Sequence, residues 1–273
     1  MSSSMLSGDC FLDKYFFHFY IIVFFIFHFY MVFAIIAAGE GSRLTHEGIG
    51  TPKPLILING LPMIDRLVNI FLKQGAEKIV IIVNQIHPQT QQHVQQLINN
   101  GLPIQMIVKT TPSSMHSFYE MHKLIGNGKF CLTTVDTIFK EQEFSDFIDC
   151  FKHSTDDGMM AVTDFIDDEK PLYISYNSHG YITGFHDDIA QFELNPNVND
   201  GNSRCDVISG GIYCLDSRSF PTLKWCMENG VERMRNFQRQ LICDNLKLKI
   251  FKFSKILDID HVEDITKAEM FLA

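Results

Sequence analysis

No two of the seven cysteines stand in a C-x-x-C spacing, and the eleven histidines show no metal-ligand spacing. A zinc site and a disulfide scaffold are therefore not expected, and the default is scattered reduced thiols. Basic charge is also short: 23 Lys and Arg face 32 Asp and Glu, a formal net charge of −9. An acidic chain lacks the diffuse positive field of non-specific nucleic-acid binding, so any anion site has to be local. No Ser/His/Asp or Cys/His order stands out, and nothing demands a covalent intermediate. What is present, 46% hydrophobic and 20% charged residues over 273 positions, is an ordinary globular composition.

One long hydrophobic run exists, at the start. Tyr15–Phe33 carries no formal charge over nineteen residues, long enough for a span of about 28 Å. A cleaved secretory signal fits poorly, because only Lys14 precedes the run and cleavage near Ala37-Ala38 would remove the strand that follows. A membrane anchor remains open, yet the run enters Val32–Ile36 without a linker. The expectation is that residues 1–30 are a Phe-rich extension outside the fold, with Met31 the effective start, and that 31–273 form one domain. Cytoplasmic location goes with that reading, and membrane association only with an anchor at 15–33.

From Met31 onward apolar runs alternate with helical patterns. Strands are expected at 32–37, 78–83, 104–109 and 129–134, with helices at 62–74, 89–99 and 114–125 between them, a βαβ succession that implies a parallel sheet covered by helices. The runs 159–163, 172–176 and 181–185 suggest an inserted antiparallel lobe, the last two joined by the turn Asn177-Ser178-His179-Gly180. The polar stretch Asp187–Arg204 is long enough to cover a site. The pairs Asp156-Asp157, Asp167-Asp168 and Asp187-Asp188 read as surface loops. A strand at 207–215, a helix at 231–243, a strand at 246–253 and a helix at 261–272 complete the chain.

The chemistry is concentrated in Ala37-Ala38-Gly39-Glu40-Gly41-Ser42-Arg43-Leu44, directly after the first strand, followed by Thr51-Pro52-Lys53-Pro54-Leu55. A glycine turn after a buried strand lets backbone N–H groups approach phosphate oxygens. Leu44 stands where a dinucleotide fingerprint has its third glycine, and no G-x-x-x-x-G-K-[ST] occurs, so neither of those motifs applies. Arg43 and Lys53 on the same loop are a fork and a point charge suited to a triphosphate. Asp136 ends the fourth apolar run, where ligands gather in open α/β sheets; as a bare residue it also reads as a helix N-cap. Asp260, with Glu263 three residues on, likewise admits a capping role. Arg233, Arg235 and Arg239 lie on a helix whose Val231, Met234, Phe237 and Leu241 face inward; they read as solvated, with an acceptor-phosphate grip by Arg235 and Arg239 the alternative.

Residues 33–55, with A-A-G-x-G-S-R-L and then P-K-P-L, closely resemble the signature of the sugar-nucleotide pyrophosphorylases and related nucleotidyltransferases. The resemblance implies a Rossmann-like, three-layer, mainly parallel sheet of the nucleotide-diphospho-sugar transferase type. It implies NMP transfer from an NTP to a phosphorylated acceptor such as a sugar 1-phosphate, with release of pyrophosphate. It assigns nucleotide phosphates to Ala38, Gly39, Gly41 and Ser42, the leaving pyrophosphate to Arg43 and the reacting phosphate to Lys53. It makes Asp136 and Asp260 the Mg²⁺ ligands, with Asp258 next in line. Ser113 and Ser114 stand in the base-reading segment, which departs from the family's Q-x-x-x-G-T-A-like run and leaves the base open. Ser209-Gly210-Gly211-Ile212-Tyr213 resembles the N-x-G-x-Y acceptor segment, which points to Gly210 and Gly211. A glycosyltransferase of similar topology, or a non-catalytic nucleotide-binding module, is the alternative; Val135-Asp136-Thr137 lacks the D-x-D of the former.

Overall fold

The structure, a computed structural model, describes residues 31–167, 170–193 and 203–273. The Phe-rich extension, Asp168 and residues 194–202 of the expected cover Asp187–Arg204 lie outside the described residues. In chain order the elements are β1 (Val32–Ala37), α1 (Ser42–His46), the short hairpin β2 (Leu57–Ile58) and β3 (Leu61–Pro62), α2 (Met63–Lys73), β4 (Ile79–Val83), α3 (Pro88–Asn99), β5 (Ile104–Val108), α4 (Ser114–Ile125) and β6 (Lys129–Thr134). There follow β7 (Thr137–Ile138), α5 (Glu141–His153), β8 (Gly158–Thr163), β9 (Tyr173–Tyr176), β10 (Ile182–His186), α6 (Ile189–Glu193), β11 (Arg204–Asp216), α7 (Phe220–Glu228), α8 (Met234–Cys243), β12 (Leu248–Lys252), β13 (Leu257–Asp258) and α9 (Val262–Leu272).

β1 is buried along its whole length. Its side chains alternate between two cores: Phe33, Ile35 and Ala37 join one, Val32, Ala34 and Ile36 the other, as the two-residue period of a strand requires. A parallel strand covered by helices on both faces has no solvent side, which is why it reads as an unbroken apolar run. Phe33 stacks on Phe71 of α2 at 4.7 Å; on the opposite face Phe118 of α4 meets Phe237 of α8 at 5.7 Å. β1 pairs in parallel with β4 and β6, and β4 with β5. The carboxyl ends of β1, β4 and β6 therefore share one edge.

β11 runs against the rest. It pairs antiparallel with β6 through its second half, with β9 through its first half and with β8 along most of its length; β12 then adds in parallel to β8. The three runs expected as an antiparallel lobe, β8, β9 and β10, are continuous with the main sheet: β8 and β9 both pair antiparallel with β11, and β10 pairs antiparallel with β9 at its end. Four helices had no sequence assignment, the short α1 and α6 and the longer α5 and α7. α8 begins at Met234 rather than Val231, because Arg233 takes φ 71° and breaks the helical path. Among the described residues no helix is long and apolar enough to cross a membrane.

Candidate active site

The glycine turn leaves β1 at the carboxyl edge of the sheet and enters α1. Gly41 has φ 65°, and a Cβ there would lie 3.2 Å from the Lys53 Cβ; glycine is required both for the left-handed backbone and for the close approach of Lys53. Gly39 differs, since an added Cβ would meet nothing within 4 Å. The space above it belongs to the cleft. Asn84, 1% exposed and directly after β4, holds the turn in place. Its Nδ2 donates to the Ala38 carbonyl at 2.8 Å, while its Oδ1 accepts from Ile86 N at 3.1 Å and from the Thr110 hydroxyl at 2.6 Å. Sequence reasoning passed over Asn84; its signal is a polar residue closing the apolar run IVIIV.

The two acids are brought together by a ladder far from either signature. β13 pairs antiparallel with β7 in the register Leu257↔Ile138 and Asp258↔Thr137, and Ile259 N donates to the Asp136 carbonyl at 3.2 Å. Neither acid is a helix cap. Residue 137 opens a short strand, and at α9 the capping box is one residue later than expected, formed by His261 and Asp264. Asp136 and Asp260 instead converge on Lys53, whose Nζ lies 2.5 Å from Asp136 Oδ2 and 2.8 Å from Asp260 Oδ1. Arg43 Nη1 meets the other Asp260 oxygen at 2.7 Å. Burial by itself would depress the Lys53 ammonium, but the carboxylates of Asp136 and Asp260 outweigh it and hold its pKa above the usual lysine value. Burial likewise works against the Asp136 carboxylate; Lys53, with the Thr134 hydroxyl, more than compensates and keeps its pKa below the usual aspartate value.

All ten residues expected for phosphates, base segment and metal line one open cleft of about 510 Å³. Ser113 sits at the N-cap position of α4, yet its hydroxyl pairs with His116 Nδ1 at 2.9 Å rather than with the helix. Deeper in the cleft the hydroxyls of Thr111 and Ser117 lie 2.6 Å apart. A second cavity of about 300 Å³ shares Ser114, Thr134, Asp136 and Asp260 with the first and continues past Gly211 to Tyr213, Arg233 and Gln238. Gly211, at φ 71°, would place a Cβ 3.3 Å from the Thr137 hydroxyl. Gly210 does not face this cavity. It borders a neighbouring recess, and a Cβ there would fall 2.2 Å from Ile256 Cδ1, so its smallness serves packing. Asp258 borders both spaces. Arg235 and Arg239 are not simply solvated: they clamp Asp187 at 2.5 and 2.8 Å, which ties the loop after β10 to α8. Arg235 borders the second cavity; Arg239 does not.

A glycine turn, two cations and two converging carboxylates at the carboxyl edge of a mainly parallel sheet define a Rossmann-like nucleotide-handling domain. Residues 33–202 match the MobA-like NTP transferase domain, and the chain belongs to that family. It is 42% identical over 55 residues to the 2-aminoethylphosphonate cytidylyltransferase of Lancefieldella rimae, a match covering 20% of this chain and 22% of that protein. It is 29% identical over 116 residues to the glucose-1-phosphate thymidylyltransferase of Neisseria gonorrhoeae, 41% of this chain and 39% of the relative. The matches thus span well under half of either curated relative. The solved inositol-1-phosphate CTP transferase of T. maritima superposes with a TM-score of 0.69 at 15% identity, over 89% of this chain and 98% of that one, and shares its fold.

Proposed function

We propose that the chain transfers a nucleoside monophosphate from an NTP to a phosphorylated acceptor and releases pyrophosphate. The observation that carries this reading is the meeting of Lys53, Asp136 and Asp260 beneath the glycine turn, at the junction of two cavities. One cavity takes the triphosphate, the other the acceptor, and both reach Asp136. An acceptor oxygen forms a bond to the α-phosphorus while the bond to the pyrophosphate oxygen breaks in line. Such a step needs positioning and charge neutralisation more than proton transfer, which accords with a cleft whose described lining contains no histidine. In this reading Lys53, 11% exposed between the acids, binds the reacting phosphate, and Arg43, 49% exposed at the rim, binds the departing pyrophosphate.

Asp136 and Asp260 suit Mg²⁺, because two hard oxygen ligands already meet at one cation-sized point held by the Lys53 ammonium. Among the described residues no group of three or more His, Cys, Asp or Glu could hold a metal, so phosphate oxygens and water would complete the shell. When bound, Mg²⁺ would neutralise charge on the triphosphate. The relatives named above transfer cytidylyl or thymidylyl groups to a phosphonate or a sugar phosphate; this favours a pyrimidine NTP and an acceptor bearing a phosphorus oxyanion. Six free cysteines among the described residues suit a reducing, cytoplasmic setting.

The test is pyrophosphate release with Mg²⁺ across four NTPs crossed with an acceptor panel. Release should require one NTP class and one acceptor, and Asp136→Asn should lower kcat by about 10²–10³ while the protein stays folded. Equal release by the folded variant would sink the assignment.

A further inference from the structure

α2 buries a cation that the transfer step does not use. Arg66 is 6% exposed, on a helix face shared with the buried Met63, Leu67 and Ile70. Its Nη2 donates to the Phe139 carbonyl, and its guanidinium carbon lies 5.0 Å from the centre of the Phe139 ring, whereas Nη1 is buried without a hydrogen-bond partner. Burial, opposed by Glu141, pushes its pKa down to about 10, so the group is still a cation at neutral pH. A buried charge with so few partners is costly, and an apolar side chain of similar length would pack the same face without that cost. The position is therefore kept charged for what it grips. Phe139 directly follows β7, and β7 directly follows Asp136. At its start α2 is tied to the turn that carries Lys53, since Met63 N donates to the Ile56 carbonyl at 3.0 Å and Ile56 N to that of Lys53 at 3.2 Å. Arg66 thus reaches from the segment of Lys53 to the segment of Asp136, the two ends of a 2.5 Å ion pair. The β7–β13 ladder has only two residue pairs, too short to fix the segment by itself.

We propose that Arg66 is a positioning residue: by gripping the Phe139 carbonyl it anchors β7 and so fixes where the Asp136 carboxylate meets Lys53. Its consequence for turnover rests on the nucleotidyl-transfer reading above, whereas the positioning itself does not need that reading. The anchor is firm because Phe139 is held from both sides. Its ring packs on Phe144 at 4.9 Å and on Phe253 at 6.2 Å, and the planar guanidinium covers that ring while donating to the carbonyl of the same residue, a pair of contacts that an ammonium makes less well. With the grip removed, Asp136 keeps its charge and its neighbours but loses its fixed distance from Lys53. Misplacement by about 1 Å is enough to cost up to about 10² in rate.

A double-mutant cycle on the full chain, read by differential scanning calorimetry without metal or nucleotide, tests this independently of turnover. The variants are Arg66→Met, Lys53→Met and the pair. Among the described residues Arg66 and Lys53 share no hydrogen-bond partner, so two merely structural roles would add. Lys53→Met should lower Tm by roughly 5–10 °C in the wild-type background and by no more than half as much beside Arg66→Met, because the ion pair is already loosened there. Arg66→Met by itself should hold Tm or raise it, since the buried charge is gone; Arg66→Lys replaces it in the cycle should the methionine variant not fold. In the pyrophosphate-release assay the folded Arg66 variant should lose about 10- to 100-fold in kcat at unchanged KM for the NTP, the glycine turn and Arg43 being untouched. Equal Tm losses from Lys53→Met in both backgrounds, or wild-type kcat in the folded variant, would overturn the proposal. Coupling in Tm without pyrophosphate release from the wild type would count against the transfer reaction alone.

Discussion

Removing the Lys53 ammonium should destabilise the protein and at the same time make it responsive to divalent cations. Its Nζ lies 2.5 and 2.8 Å from two carboxylates that consequently stand no more than about 5 Å apart. A unit pair at 4 Å is worth about 4 kcal/mol at an effective dielectric of ~20, and breaking a buried pair costs about 3–5 kcal/mol because the partner is left uncompensated. Asp136 is 20% exposed and Asp260 42%, so water screens the second acid. For Lys53→Met a loss of about 2–3 kcal/mol follows, a fall in Tm of roughly 5–10 °C for a domain of this size. The pH dependence has a definite sign. The lowered Asp136 pKa contributes stability above its unfolded value of about 4, lost as pH falls through the folded value. The raised Lys53 pKa contributes below its unfolded value of about 10.4, lost only as pH rises through the folded one. The gap between wild type and variant should therefore be full from about pH 5 to about pH 10 and narrow below about pH 4. In the variant a divalent cation takes the vacated position; at a hundredfold excess over its Kd it restores about 2.7 kcal/mol. Wild type, whose ammonium fills that point, should respond far less in the absence of nucleotide. Differential scanning calorimetry with and without Mg²⁺ decides. Equal Tm values for the two proteins at pH 7, or equal Mg²⁺ stabilisation of both, would refute the reasoning.

Gly39→Ala should leave stability within about 0.5 kcal/mol, because its Cβ meets nothing of the protein; nucleotide binding measured by calorimetry should weaken at least about tenfold, the cost of misplacing one strong contact. Gly211→Ala should cost about 1–3 kcal/mol in urea unfolding, since φ 71° strains any side chain and Thr137 is only 3.3 Å away; an unchanged midpoint would contradict the assigned backbone.

Much of the fold was legible because parallel strands buried on both faces must be apolar throughout. Val32–Ala37 and Ile79–Val83 stand out for that reason, and the intervening helices follow from one-sided stripes such as Ile64, Leu67, Val68 and Phe71. The three runs of the antiparallel part are legible as strands, but buried strands look alike in a lobe or in the main sheet, and only the pairing of β8 and β9 with β11 makes them continuous with it. In the site, Gly39, Gly41, Arg43 and Lys53 were readable as one local pattern. Asn84 was not, since a single polar residue closing an apolar run acquires meaning only from what it faces.

The sequence alone determined the glycine turn with its two cations, the apolar runs of the sheet and the presence of acids at the ends of two of them. These are short-range properties, set by backbone sterics and by which faces of an element avoid water. The tertiary structure decided that Asp260 meets Asp136 across Lys53, and that Gly211 but not Gly210 faces the second cavity. Those facts depend on the β7–β13 ladder and on the bulged course of β11. Hydrogen-bond partners of that kind are chosen by the whole packed chain, and no local stretch of residues encodes them.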